Sequence, residues 1–173
     1  IGAHFGNWEL SVLYAGLVLE RFAGFYRKQN NTFIDAKING LRASTGATLI
    51  AKNDRGGLKK AIKNLKDGGS VGILMDQRIQ AGPEIPFIGT LATTMPLVFS
   101  LAQTTGAAVI PYRLKRQADG TYVSIFEDEV KLPDTGDRQK DRTIFLTEIN
   151  RIIGAWVIED PEQWFWFHNR WVK

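Results

Sequence analysis

Apolar positions along this 173-residue chain follow two alternating rhythms, one helical and one extended. Leu10, Leu13, Tyr14, Leu17 and Val18 recur close to helical spacing, which predicts a helix over about residues 7–20 with one face on a core. Phe25-Tyr26-Arg27 reads as a short strand, and Phe33, Ile34, Ile38 and Leu41 predict a second helix that runs into Gly40. The next unit is clearer. A short apolar stretch over 47–51 leads to Leu58, Ala61, Ile62 and Leu65, an i, i+3, i+4, i+7 face, with Lys59, Lys60, Lys63 and Lys66 on the remaining surface. That helix ends at Asp67-Gly68-Gly69, and Val71-Gly72-Ile73-Leu74-Met75 reads as a buried strand running into Asp76-Gln77. Strand, basic helix and strand predict a βαβ crossover with parallel pairing.

Residues 78–94 are rich in Gly, Pro and Thr and are expected to form a loop near a substrate site, because Pro removes a donor and Gly frees the backbone. A helix over 95–103 ending near Gly106 is followed by an expected strand over 107–112, then by a turn at Asp119-Gly120 and a strand over 121–126. The last two strands are expected to pair antiparallel. After a polar connection over 131–140, Phe145, Ile149, Ile152, Ile153 and Trp156 share the apolar face of a longer helix, stopped by Asp160-Pro161. The fold class expected is α/β: a mixed, mostly parallel sheet flanked by helices. One domain is the simplest division, since no internal repeat or low-complexity tract appears.

A hydrophobic fraction of 44% supports a folded chain, and a net charge of +4 leans modestly toward acidic or membrane-surface partners. The absence of cysteine excludes disulfides, thiolate catalysis and Cys-based zinc sites. No run of 18 or more consecutive apolar residues predicts a bilayer-spanning helix. The chain opens at Ile1-Gly2-Ala3-His4 without Met or a signal segment, and is therefore expected to be a piece of a longer protein lacking upstream, membrane-associated sequence.

The strongest chemical signal is His4-Phe5-Gly6-Asn7-Trp8-Glu9. In a regular helix the two ionisable side chains would point about 140° apart, so the pair needs a strand, loop and helix with a turn at Gly6. In that setting Glu9 can hold one nitrogen of the ring while the other removes a proton from an incoming alcohol. That alcohol could attack a thioester or ester carbonyl without a covalent acyl-protein intermediate. His4 is the candidate base, not the nucleophile. A structural hydrogen bond or an incidental pair is the competing account.

This motif occurs together with Asp76-Gln77 followed by Gly82, with Phe87-Ile88-Gly89 and Ala92-Thr93, and with Thr105-Gly106-Ala107 leading to Pro111. The ordered set, with Pro161-Glu162-Gln163-Trp164-Phe165-Trp166-Phe167-His168-Asn169-Arg170-Trp171, resembles the bacterial lipid A biosynthesis acyltransferase family over nearly the whole chain. The resemblance implies a glycerolipid-acyltransferase-like α/β fold at the cytoplasmic face of the bacterial inner membrane. It also implies transfer of a fatty acyl group from an acyl carrier protein thioester, the donor substrate, to a hydroxyl of a lipid A precursor, with no cofactor. His4 would be the general base and Glu9 its partner. Asp76, Gln77, Gly89 and Thr93 would lie near the substrate cleft, without individual roles or a contact between Asp76-Gln77 and His4 being implied. The family often carries His-Arg-Arg-Trp where this chain has His168-Asn169-Arg170-Trp171, which puts a phosphate role at position 169 in doubt.

Arg42 and Arg78 are candidate phosphate or carboxylate binders, with an ordinary salt bridge as the competing account. Phe5, Trp8, Phe87 and Met95, with Leu10 and Ile85, are candidates to line an acyl groove, each of them also a natural core residue. The lysines of the basic helix could attract acyl carrier protein or anionic lipid, and equally serve solubility. No nucleic-acid motif accompanies the charge. The expected chemistry needs no metal. An acyltransferase acting on another membrane glycolipid such as a mannoside, an esterase using water, and a noncatalytic lipid-binding module remain alternatives, the esterase without a Gly-x-Ser-x-Gly elbow to support a serine mechanism.

Overall fold

A computed structural model describes residues 1–52, 54–167 and 169–172. They form two compact units, residues 9–73 and residues 1–8 with 74–173. Among the described residues no helix is long and apolar enough to cross a membrane.

The 9–73 unit carries most of helix α1 (Trp8–Val18), then β1 (Phe22–Tyr26), α2 (Thr32–Ala43), β2 (Thr48–Ala51), α3 (Gly57–Lys66) and β3 (Ser70–Gly72). Its strands make a parallel sheet in the order β2-β1-β3, with Gly24 opposite both Leu49 and Gly72. The β2-α3-β3 crossover expected from the sequence is present, and it steps over β1 rather than joining neighbouring strands. Phe22, Ala23 and Ile50 from the strands and Ala61 from α3 are buried. Leu58, expected on the inner face of α3, is 48% exposed. Helix α1 also departs from expectation: none of its residues is buried, and Leu17 is 71% exposed. Its sequence is apolar nearly all round, so its periodicity singles out no face for a core.

The second unit contains β4 (Glu84–Phe87), β5 (Thr90–Thr93), α4 (Leu97–Thr105), β6 (Tyr112–Arg116), β7 (Tyr122–Phe126), α5 (Arg138–Glu159) and a 3-10 turn (Pro161–Gln163). The expected loop over 78–94 holds an antiparallel hairpin, β4-β5, closed by Phe87 and Thr90 around Ile88-Gly89. Both turn residues have positive φ, 47° and 81°, which is the geometry of a tight two-residue hairpin. Strands β6 and β7 pair antiparallel, but β6 runs over Tyr112–Arg116 and shares only Tyr112 with the strand expected over 107–112, which is itself not a strand before that residue. The parallel and antiparallel pairings belong to separate sheets, not to one mixed sheet.

Helix α5 is capped by Asp137, whose carboxylate accepts from the amides of Gln139 and Lys140. It buries Phe145, Leu146, Ile149, Ile153 and Trp156, and α4 stops at Gly106 in the left-handed conformation.

Residues 1–5 run extended through this unit. The Gly2 carbonyl accepts from Met75 N at 2.8 Å, the Ile1 carbonyl accepts from Tyr112 N at 2.7 Å, and Gly2 bridges Leu74 in parallel. The run ends at Gly6, whose φ is 56° and whose amide donates to the Gln163 carbonyl at 2.7 Å. A Cβ at Gly6 would lie 2.3 Å from the Leu114 carbonyl oxygen, so only glycine lets the chain turn there into α1. Gly6→Ala should therefore lower the free energy of unfolding by about 2 kcal/mol or more, measured by chemical denaturation. An unchanged midpoint would mean that the turn relaxes freely.

Candidate active site

The extended run places His4 beside the chain that leaves Leu74. Its backbone amide donates to Asp76 Oδ2 at 2.8 Å, and its ring Nδ1 meets Asp76 Oδ1 at 2.8 Å. On the other side the His4 carbonyl accepts from Phe165 N at 2.9 Å, and neighbouring Phe5 bridges Trp164. The Trp164 indole donates to Asp76 Oδ2 at 2.9 Å. One carboxylate thus takes three donors from segments 72 and 88 residues away.

Asp76 is 3% exposed and His4 6% exposed. Burial by itself pushes the Asp76 carboxyl up. The hydrogen bond and charge of the His4 ring, the His4 amide and the Trp164 indole outweigh it, and the carboxyl is held below its ordinary 3.8. An ionised Asp76 can only accept, so Nδ1 carries a hydrogen, and in the neutral imidazole the lone pair then sits on Nε2. Nε2 faces the side-chain amide nitrogen of Gln77 at 3.2 Å. Trp8 sets its ring edge-on to the imidazole at a centroid distance of 5.1 Å, with Phe165 at 6.3 Å. This is an imidazole whose Nδ1 is held by a carboxylate and whose Nε2 faces the Gln77 side chain.

A further layer holds the strand end itself. Arg170 is fully buried, and its Nη1 donates to the carbonyls of Met75 at 3.0 Å and Gln77 at 3.4 Å, the residues on either side of Asp76. Its Nη2 donates to Asn150 Oδ1 at 2.8 Å, and its guanidinium lies 4.6 Å from the centroid of the Phe87 ring. Asn150 in turn donates to the Pro86 carbonyl at 3.1 Å and to Thr94 Oγ1 at 3.0 Å, tying α5 to the hairpin. Burial pulls the Arg170 guanidinium down to about 10, with the negative charge of Asp76 acting in the opposite sense. It stays charged at neutral pH.

The carboxylate bonded to Nδ1 is therefore Asp76, where sequence spacing pointed to Glu9. Glu9 lies in the other unit, in the first turn of α1, and takes a bidentate ion pair from Arg42, with contacts of 2.6, 2.8 and 3.0 Å. Arg42 is 7% exposed, so the salt-bridge account of that arginine describes its observed contact. Gln77, expected near the cleft, reaches the His4 ring, and Arg78 beside it is exposed. Gly89 supplies the left-handed turn of the exposed hairpin tip, and Thr93 donates its hydroxyl to the Ile79 carbonyl at 2.9 Å. Phe5 and Phe87, each 1% exposed, are sealed in packing and do not present a groove wall, whereas Trp8 and Met95 are half-buried. Ile85 is likewise core.

On α3, Lys60 pairs with Asp54 at 2.6 Å and Lys63 pairs with Asp67, so part of that basic surface is neutralised locally. The aromatic terminus divides: Trp164 is buried, while Phe165, Trp166 and Phe167 are 49%, 53% and 82% exposed. His168 lies outside the described residues. Trp164, Asn150 and Arg170 were not singled out as functional from the sequence. The one available signal was an asparagine within the apolar stripe of α5.

A family profile described as bacterial lipid A biosynthesis acyltransferase matches residues 1–173. The chain is 27% identical over 175 residues to a lipid A biosynthesis lauroyltransferase of Escherichia coli K12, covering 98% of this chain and 54% of that protein. It is 27% identical over 174 residues to a lipid A biosynthesis palmitoleoyltransferase of the same organism and to a lipid A biosynthesis acyltransferase of Shigella flexneri, with the same coverage of 98% and 54%. The chain thus spans about half the length of the curated relatives it matches. With the family profile running across all of its residues, the chain belongs to the bacterial lipid A biosynthesis acyltransferases.

Proposed function

We propose that the parent protein transfers a fatty acyl group from an acyl carrier protein thioester to a hydroxyl of a lipid A precursor, at the cytoplasmic face of the inner membrane. His4 acts as the general base. The observation that carries this reading is the His4 ring, fixed by Asp76 through Nδ1 with Nε2 turned to Gln77. The names of the relatives, lauroyl- and palmitoleoyltransferases of lipid A biosynthesis, support the acyl donor and acceptor classes.

In the proposed step the acceptor hydroxyl displaces the Gln77 amide from Nε2. Nε2 takes the hydroxyl proton as the oxygen attacks the thioester carbonyl, and Asp76 stabilises the imidazolium that forms. Collapse of the tetrahedral intermediate breaks the C–S bond, and the imidazolium returns the proton to the departing thiolate. An ester and a free thiol result, and the step balances without a metal or cofactor. Glu9, which the family resemblance names as a catalytic partner, pairs with Arg42 within the 9–73 unit, and the proposed step assigns it no part in the proton transfer.

The test is a product assay on the full-length protein with acyl carrier protein thioesters of several chain lengths and a panel of lipid acceptors, read by mass spectrometry. His4→Ala and Asp76→Asn should each lower turnover by about 10²–10⁴-fold while the protein stays folded. Folded wild-type protein that adds no acyl group to any acceptor would refute the acyl-transfer reading. Wild-type rates in Asp76→Asn would refute the His4-Asp76 mechanism alone.

Asp76 also makes a prediction for stability. Its folded carboxyl lies below the ordinary value, so its contribution is complete above the unfolded value near 3.8 and disappears as the pH falls through the lower folded value. Asp76→Asn should therefore be less stable than wild type at pH 7, with the gap narrowing in urea titrations below about pH 4. A gap that widens on acidification would show that the carboxylate is not stabilised by its donors.

Arg170 is a positioning residue in this scheme. Arg170→Met strips buried acceptors of their partner and should cost about 3–5 kcal/mol of stability. Arg170→Lys, which keeps the charge and loses the fork, should fold better than the Met variant yet show reduced kcat with little change in KM. A kcat equal to wild type in folded Arg170→Lys would leave Arg170 a purely structural role.

A further inference from the structure

Helix α2 is built inside out. At about 100° per residue, Phe33, Lys37, Leu41, Ile34 and Ile38 occupy one continuous arc of about 140°, and Asp35, Asn39 and Arg42 occupy the opposite side. Such an apolar stripe normally lies on a core. Here Phe33, Ile34 and Leu41 are 77%, 48% and 60% exposed, whereas Asp35 and Arg42 are each 7% exposed. A polar network holds the inversion in place. Asp35 accepts from the Gln29 amide at 2.8 Å and from Asn39 Nδ2 at 3.1 Å, Asn39 Oδ1 accepts from Arg42 at 3.3 Å, and Arg42 closes on Glu9. Asn31 caps the helix by accepting from the amides of Phe33 and Ile34, which fixes where these two exposed side chains sit.

The exposed charge of the segment that carries this face has one sign. Residues 27–44 contain a single acid, Asp35, and it is turned inward, while Arg27, Lys28 and Lys37 are exposed. An exposed apolar arc that carries Lys37 and follows Arg27 and Lys28 in a segment with no exposed acid complements an anionic lipid surface: the apolar side chains enter the acyl boundary and the cations meet headgroup phosphates. We propose that α2 is an interfacial helix that docks the 9–73 unit on an anionic bilayer. The inference rests on that unit alone, not on the acyl-transfer reading.

The test uses vesicle co-sedimentation of the chain with phosphatidylcholine vesicles and with phosphatidylcholine–phosphatidylglycerol vesicles in a 7:3 ratio. Wild type should bind the anionic vesicles, and binding should weaken with salt. The double variant F33S/L41S should bind at least roughly tenfold more weakly, while its circular dichroism and urea midpoint stay at wild-type values, because both side chains are already in water. K28E/K37E should lose the preference for anionic over neutral vesicles. Wild-type binding by F33S/L41S would overturn the proposal and leave the face to other parts of the longer polypeptide. Self-association in sedimentation velocity that F33S/L41S abolishes, without vesicle binding by wild type, would also overturn it and assign the face to a second copy. Acyl transfer to a detergent-dispersed acceptor, measured on the full-length F33S/L41S protein, separates the two readings: transfer retained with vesicle binding lost supports the docking role while leaving the chemistry standing.

Discussion

One carboxylate, almost without water, sets the geometry of the candidate site. An ion at 3% exposure is tolerated only where donors replace its hydration, and Asp76 collects three: the His4 amide, the His4 ring and the Trp164 indole. These donors come from opposite ends of the chain, so satisfying the carboxylate also pins the first extended run against the aromatic terminus. The ring orientation of His4 follows from the same requirement. Its backbone and side chain grip the two oxygens of one carboxylate, which leaves the imidazole little rotational freedom and directs Nε2 away from Asp76.

A buried negative group in turn favours a buried positive one. Arg170 does not touch the Asp76 oxygens in the contacts described; it grips the carbonyls on either side and contributes charge at short range. That arrangement separates two tasks. Direct donors to the carboxylate hold its oxygens and orient the His4 ring, and the guanidinium fixes the backbone that carries the carboxylate. With Arg170 on the flanking carbonyls, both Asp76 oxygens are left to the His4 amide, the His4 ring and the Trp164 indole.

Much of the fold was legible because periodicity and local punctuation agree. The β2-α3-β3 unit, α4 with its Gly106 stop, β7 after the Asp119-Gly120 turn and α5 before Asp160 all follow from local signals. The β4-β5 hairpin did not, since Pro86 argues against a strand and Ile88-Gly89 is not a typical turn pair. A two-stranded sheet has free edges on both sides, where a proline costs little, and the closing pair Phe87 and Thr90 forces both turn residues to positive φ. The glycine turn and helix that follow His4 were legible as well. The carboxylate that meets its ring was not. Glu9 is the carboxylate nearest in sequence, but Asp76 is 72 residues away, and only tertiary structure brings a strand end beside the first extended run.

Polar groups and apolar groups exchange their usual places in both units, and for one physical reason. Once a carboxylate is buried, its partners must be oriented toward it, so a single inward carboxylate recruits a chain of donors: Asp76 with His4 and Trp164, or Asp35 with Asn39, which leads through Arg42 to Glu9. In α2 the recruited chain occupies the side of the helix that would otherwise be core, and the apolar side is left outward by geometry, not by a lack of hydrophobicity. Such networks add little net stability over apolar packing, but they tolerate few alternative arrangements. Both networks therefore fix orientation, of the His4 ring in one unit and of α2 in the other, more than they add stability.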